Sequence, residues 1–310
     1  MPRAVRCLLG MVFLLLAGCA AEATPPPSAP GPLGRPEGPW AQQSHAVPVP
    51  EPGGTRLIQA RLCRPPGEGA RRLAVLNHGK PVTAAEIAAV ALPSCEAERV
   101  RWFLERGFAV MLPLRRGYGA SGGTMAERTP ACAPSRDYVP GALEAARDIR
   151  AAIDYATALP GILPQRVVVV GQSAGGMASV ALASLNDPRI AALASMAGGD
   201  GGHLNRVPGE VCQPRALEAA MARFGATARA PMLWVYTAND SYFAPPLAAA
   251  MHRAFTGAGG RAELAALPAW GQDGHILFTG RGGSAVWGPL MERFLTLPPR
   301  AAAASALARP

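Results

Sequence analysis

A serine set between glycines, Gly171-Gln172-Ser173-Ala174-Gly175, is the stretch of this chain best suited to chemistry. Residues 167–170 before it are all valine, a β-branched run stiff at χ1 and apolar enough for a strand buried on both faces. The small-residue segment 176–185 after it reads as a helix. Strand, sharp turn and helix are the context in which G-x-S-x-G works as a nucleophile elbow. Such a turn strains the serine backbone, so glycines flank it where a Cβ would clash. The strain lifts the hydroxyl above the sheet and aims the first helical N–H groups at the same point. A glycine-rich connection whose serine only caps the helix is the bland alternative. The two readings differ in their partners, because a serine hydroxyl is a weak nucleophile at neutral pH and needs a base and a group to orient that base.

The elements that must position these groups follow in order. Residues 55–63 alternate polar and apolar and read as an early antiparallel strand, and 72–77 form the next strand, running into His78-Gly79-Lys80-Pro81. A short amphipathic helix at 97–106 precedes a strand at 108–113, which leads into Arg116-Gly117-Tyr118-Gly119. A helix at 142–159 precedes the valine strand. Beyond the elbow come a strand at 190–196, a helix near 215–224, a strand at 231–236, a helix at 245–256, a last strand at 262–267 and a helix near 286–297. Strands alternating with helices of about ten residues predict one domain, 51–298, built on a mostly parallel sheet with helices on both faces. No internal repeat interrupts it.

This order, with the elbow and the His-Gly-Lys-Pro and Arg-Gly-Tyr-Gly turns, resembles the α/β-hydrolase superfamily, in particular its dienelactone-hydrolase-like and prolyl-oligopeptidase-like members. The resemblance covers about residues 55–297. It implies the α/β-hydrolase fold and a triad in the chain order serine, acid, histidine, each on a loop after a strand. On that order the nucleophile is Ser173, the acid is Asp240 in Asn239-Asp240-Ser241-Tyr242, and the base is His275 in Asp273-Gly274-His275. Asp200 and Asp273 are rivals for the acid, and a helix N-cap is the bland role for Asp240. His78 and His203 fall outside the triad order, and His78 is expected to pack beneath the oxyanion loop. The resemblance places the oxyanion-hole donors at the backbone N–H groups of Ala174 and Lys80. It makes Arg-Gly-Tyr-Gly a structural floor. Dienelactone hydrolases proper use cysteine, and this chain has serine. Prolyl-oligopeptidase relatives carry a propeller, which is absent here.

At the N-terminus, Arg3 and Arg6 precede an apolar run, 7–16, too short to span a bilayer as a permanent helix, which reads as a signal peptide over 1–18. It ends Leu16-Ala17-Gly18-Cys19, which resembles the bacterial lipobox and implies acylation of Cys19; an ordinary cleavage site before a cysteine is the alternative. Ala20 rather than Asp after the cysteine points to the periplasmic face of the outer membrane. Residues 19–50, rich in Pro, Ala and Gly, read as a flexible tether, and 299–310 as a disordered tail.

The formal charge of +9 is carried almost wholly by scattered arginines, Lys80 being the only lysine, with no basic-aromatic patch, so nucleic acid is set aside as a partner. Once Cys7 is removed and Cys19 acylated, Cys63, Cys95, Cys132 and Cys212 remain. Four cysteines in an oxidising compartment allow three pairings, and no C-x-x-C spacing suggests zinc. Cys132 and Cys212 fall in loops after the strands flanking the elbow strand, so the expected pairs are Cys63–Cys95 and Cys132–Cys212. The reading is a lipid-anchored serine hydrolase acting on a carboxylic ester through an acyl-enzyme, with no metal or organic cofactor. A prolyl-oligopeptidase-type peptidase and a non-catalytic envelope binding lipoprotein are the alternatives. The segments 124–140 and 198–230 are expected to set specificity.

Overall fold

A computed structural model describes residues 29–127 and 132–296. The expected signal peptide over 1–18, Cys19 and the expected tail over 299–310 lie outside the described residues. In chain order the described elements are β1 (Gly31–Glu37), β2 (Gln42–Glu51), β3 (Gly54–Cys63), β4 (Arg72–Asn77), α1 (Ala84–Ala88), α2 (Glu98–Leu104), β5 (Phe108–Pro113), α3 (Val139–Thr157), β6 (Val167–Gln172), α4 (Ala174–Ala183), β7 (Ile190–Met196), α5 (Pro214–Gly225), β8 (Met232–Thr237), α6 (Pro245–Gly257), β9 (Ala262–Leu267) and α7 (Ser284–Phe294). All nine strands join one sheet in the order β1-β2-β3-β5-β4-β6-β7-β8-β9. β1, β2 and β3 pair antiparallel, as does β3 with β5, and every later pair is parallel. This is the α/β-hydrolase fold, with the elbow strand β6 in its parallel part between β4 and β7.

The valine run shows why a continuous apolar strand belongs there. Val167 and Val169 join the core packed by α3, α4, α5 and α6, while Val168 and Val170 join the opposite core built on Phe103, Trp287 and Met291 of α2 and α7. Successive side chains of a strand point to opposite faces, so a strand buried on both must be apolar at every position. Each valine contributes ~1.5–3 kcal/mol by burial. Helix α4 is buried along its whole length, which explains its small residues. It starts at Ala174, two residues before the sequence pattern suggests, with Gly175 and Gly176 inside it.

The expectation of a flexible tether over 19–50 is corrected from residue 31 onward, where β1 and β2 extend the sheet. The proline-rich composition misleads because Pro48 and Pro50 sit two residues apart in β2. That spacing sends both missing N–H groups to the same edge, and β1 pairs with β2 only as far as Ala46. Inward-facing Val47 and Val49 are fully buried. The folded domain therefore begins about twenty residues before the expected boundary at 51. Among the described residues no helix is long and apolar enough to cross a membrane.

Candidate active site

Ser173 sits between β6 and α4 with φ 55° and ψ −123°, a conformation costly for a residue with a Cβ. The neighbouring glycines are required by contact. A Cβ on Gly171 would lie 1.9 Å from the carbonyl oxygen of Gly175, and one on Gly175 would lie 2.5 Å from that of His78. Backbone bonds hold the strained turn. The Ser173 N–H donates to Met196 at 3.0 Å, and its carbonyl accepts from Gly199 at 3.2 Å. Ala174 is the first residue of α4, so its N–H has no partner within the helix and is available to a ligand.

The loop after β4 passes directly against the elbow. A Cβ on Gly79 would stand 3.1 Å from that of Ser173, and Lys80 lines the same cavity as Ser173 and Ala174. Beneath this loop His78 accepts the Arg115 N–H at Nε2 (3.2 Å) and donates from Nδ1 to the Gly79 carbonyl (2.7 Å), contacts that only the neutral imidazole makes together. Burial and the Arg115 charge hold its pKa well below the usual histidine range. Arg115 and Arg116 are themselves buried, the first on Glu127 and the second on Asp148, Glu51 and Glu144. The Arg-Gly-Tyr-Gly turn is a structural floor.

Asp240 follows β8 and His275 follows β9, and the two meet: His275 Nδ1 is 3.0 Å from Asp240 Oδ1, both side chains buried. The same oxygen accepts the N–H groups of Tyr242 (2.8 Å) and Phe243 (2.9 Å), while Oδ2 is buried without a partner among the described residues. With the proton held on Nδ1, Nε2 is left as the basic nitrogen. The ring of Tyr242 stacks on the imidazole at 4.0 Å. Gln172, next to the elbow serine, donates from Nε2 to the His275 carbonyl at 3.2 Å and brings the base loop to the end of β6. Among the described residues Ser173 and His275 are not joined by a hydrogen bond; hydrolase contacts of this kind commonly tighten only with substrate bound.

The rival acids are engaged elsewhere. Asp200 pairs with the Lys80 ammonium at 2.7 Å, and Asp273 accepts backbone N–H groups. Asp240 is also not the cap of α6, whose N-cap is Ala244 with no side-chain bond. Ser173 opens onto a cavity of about 200 Å³ walled by Gly199, Asp200, Gly201, Tyr242 and Phe243, with Arg136 at its side. Disulfides join Cys63 to Cys95 and Cys132 to Cys212. Among the described residues no three His, Cys, Asp or Glu side chains gather as metal ligands. Gln172, Ser241 and Tyr242 are the residues sequence reasoning missed as parts of the site, and Asp273, weighed there only as a rival acid, joins them as a loop tie. The signal for Ser241 and Tyr242 was polar clustering just after a strand.

The family model of the X-Pro dipeptidyl-peptidases (S15 family) matches residues 53–256, about two thirds of the chain. The chain belongs to the S15 family. The S15 match takes in Ser173 and Asp240 and stops short of His275. Solved structures share the fold at low identity. A puromycin-hydrolysing peptidase of Mycobacterium tuberculosis aligns at TM-score 0.60 and 19% identity, covering 84% of this chain and 41% of that one. An esterase of Pyrococcus furiosus aligns at 0.57 and 15%, covering 87% and 99%. An acetyl xylan esterase of Paenibacillus sp. R4 aligns at 0.55 and 17%, covering 86% and 87%. No curated protein matches the chain significantly. Family and fold together make this S15-family chain a hydrolase.

Proposed function

We propose that the chain hydrolyses a small carboxylic ester through an acyl-enzyme. Ser173 attacks the carbonyl, His275 Nε2 takes the proton and returns it to the leaving alcohol, and Asp240 holds the Nδ1–H tautomer. Water then repeats the sequence on the acyl-enzyme. The backbone N–H groups of Ala174 and Lys80 receive the tetrahedral oxyanion, each worth ~2.7–4 kcal/mol. The observation that carries the reading is the buried Asp240–His275 bond beside a strained serine elbow. The cavity wall supports an ester over a peptide substrate. Its one carboxylate among the described lining residues, Asp200, is already neutralised by Lys80, so a substrate's free N-terminal ammonium would have to displace a lysine.

A dipeptidyl-peptidase is the second reading, favoured by the S15 match. Comparing p-nitrophenyl acetate with an aminoacyl-proline nitroanilide separates the two, with the ester expected to be the better substrate. A fluorophosphonate probe should label the wild type, and Ser173→Ala should abolish labelling and lower kcat by a factor on the order of 10⁶. A loss below tenfold would assign the chemistry to another residue, and an unlabelled wild type would favour the binding lipoprotein.

The same reading makes Cys19 a lipid anchor on the periplasmic face of the outer membrane. With β1 starting at Gly31, only residues 19–30 separate anchor from fold, a reach of at most about 40 Å. Cys19→Ala should release the protein from the membrane fraction.

A further inference from the structure

We propose that Asp273 is a positioning residue for this reaction: its carboxylate ties the acid loop after β8 to the base loop after β9 and keeps a fixed negative charge beside the base. The inference rests on the triad reading above. Asp273 Oδ1 accepts the N–H of His275 at 2.9 Å and that of Ser241 at 3.1 Å, and Oδ2 accepts the Ser241 hydroxyl at 2.6 Å. One side chain thus holds the residue after the acid and the backbone of the base. Asn239 adds a second tie from the residue before the acid. Its Oδ1 accepts Trp270 N–H at 2.8 Å, and its Nδ2 donates to the Trp270 carbonyl at 3.1 Å.

Proton counting extends the clamp one residue further. A serine hydroxyl has a single proton, and Ser241 gives it to Asp273. The contact of 3.1 Å between Ser241 Oγ and His203 Nε2 therefore has the histidine as donor. The His203 ring lies flat on Tyr242 at 3.6 Å, and the His275 imidazole stacks on the same ring at 4.0 Å. The imidazole is fixed along its Nδ1 edge by Asp240, on one face by Tyr242 and through its own backbone by Asp273.

The groups that set the charge here come from three elements. Asp240 and Tyr242 face the His275 ring from the acid loop, Asp273 bonds the His275 backbone N–H from its own loop, and His203 reaches Asp273 through Ser241 from the loop after β7. Burial works to raise the Asp273 pKa, but the bonds from Ser241 and His275 outweigh it and hold the carboxyl below its ordinary range. It is therefore charged across the neutral range, so the loop that carries the base holds a fixed negative charge when proton transfer places a positive one on the imidazole.

Asp273→Asn removes the charge and retains one acceptor for the two N–H groups; Ser241→Ala removes the bridge and retains the charge. The rate of fluorophosphonate labelling is followed against pH for both variants and the wild type, with kcat and KM on a p-nitrophenyl ester and melting temperature alongside. For Asp273→Asn the acid limb should move to lower pH by ~0.5–1 unit, with kcat about 10-fold lower and KM within about threefold. For Ser241→Ala the limb should stay and kcat should fall about threefold. A folded Asp273→Asn protein whose limb does not move, or whose loss in kcat is fully explained by lower melting temperature, reduces Asp273 to a turn cap and overturns the proposal. An unlabelled wild type overturns the triad reading itself and the proposal with it, an outcome separate from the first.

Discussion

On the His275 side of the site, two loops are knitted by side-chain bonds. Asn239, Asp240, Ser241 and Asp273 all bond across the ends of β8 and β9. On the opposite side, the wall from Gly199 to Gly202 is held by the Cys132–Cys212 disulfide, by the Cys212 N–H on the Gly201 carbonyl at 2.9 Å, by the Tyr138 hydroxyl on the Cys212 carbonyl and by the Lys80–Asp200 pair. The wall is glycine because aromatic rings occupy the space: a Cβ would lie 2.5 Å from Phe243 at Gly199 and 2.1 Å from the Tyr138 hydroxyl at Gly201. Directional bonds dominate the His275 side, where the proposed proton transfer would need fixed angles. At the wall a covalent staple and ring packing set the shape, with two hydrogen bonds and one ion pair in support. The two sides are thus held by different means.

The largest effect that sharpens the contrast lies on the base side. Asp240→Asn keeps an acceptor at Oδ1 but removes the negative charge that steadies the imidazolium formed in proton transfer, and by the precedent of serine-protease triads kcat should fall about 10⁴-fold. KM should stay within about threefold in steady-state kinetics. A comparable rise in KM would mean that Asp240 shapes the cavity and would erase the division.

The two disulfides test the wall next. Their sequence separations, 32 and 80, predict about 4 kcal/mol of stabilisation each on chain-entropy grounds. Their surroundings differ. Cys63 and Cys95 are buried within the α2–α7 core and do not line the cavity at Ser173, whereas Cys132 is exposed and its partner Cys212 bonds the cavity wall. Replacing either pair by alanine should lower the denaturant midpoint. Only loss of Cys132–Cys212 should raise KM, by about 3–10-fold, with kcat on the smallest esters within tenfold. Equal KM changes from both pairs would show the wall to be held by global stability alone.

Much of this organisation was legible in the residues. The strands at 72–77, 108–113, 190–196 and 262–267 stand where short apolar runs end at glycine, proline or polar clusters, because strand formation there follows local pattern. Strands β1 and β2 were not legible, since proline-rich composition reads as extended coil and the pairing that rescues it comes from β3. The choice of Asp240 as the acid kept Asp200 and Asp273 as rivals for a related reason. All three follow strands, and only the adjacency of β8 and β9 puts Asp240 against an imidazole while Asp200 meets Lys80. The clamp through Asp273 joins two loops 32 residues apart, which no local pattern carries.

The smallest effect concerns Lys80, which belongs to both sides of the comparison. Its backbone lies in the loop against the elbow, while its ammonium crosses the cavity to Asp200, each side chain about one sixth exposed. Partly exposed pairs of this kind contribute only ~0–1 kcal/mol, so Lys80→Met should barely change the melting temperature. If the oxyanion rests on the backbone N–H, kcat/KM for a neutral ester should fall less than about tenfold, because methionine keeps that donor. Without the Lys80 charge the Asp200 side of the cavity becomes more negative, and the preference for an aminoacyl over a neutral ester should rise about 3–10-fold. Relative kcat/KM values on the two nitrophenyl esters measure both effects in one experiment. A loss above 10² on the neutral ester would instead place the transition-state charge on the ammonium, and the wall would then take part in the chemistry as well as in recognition.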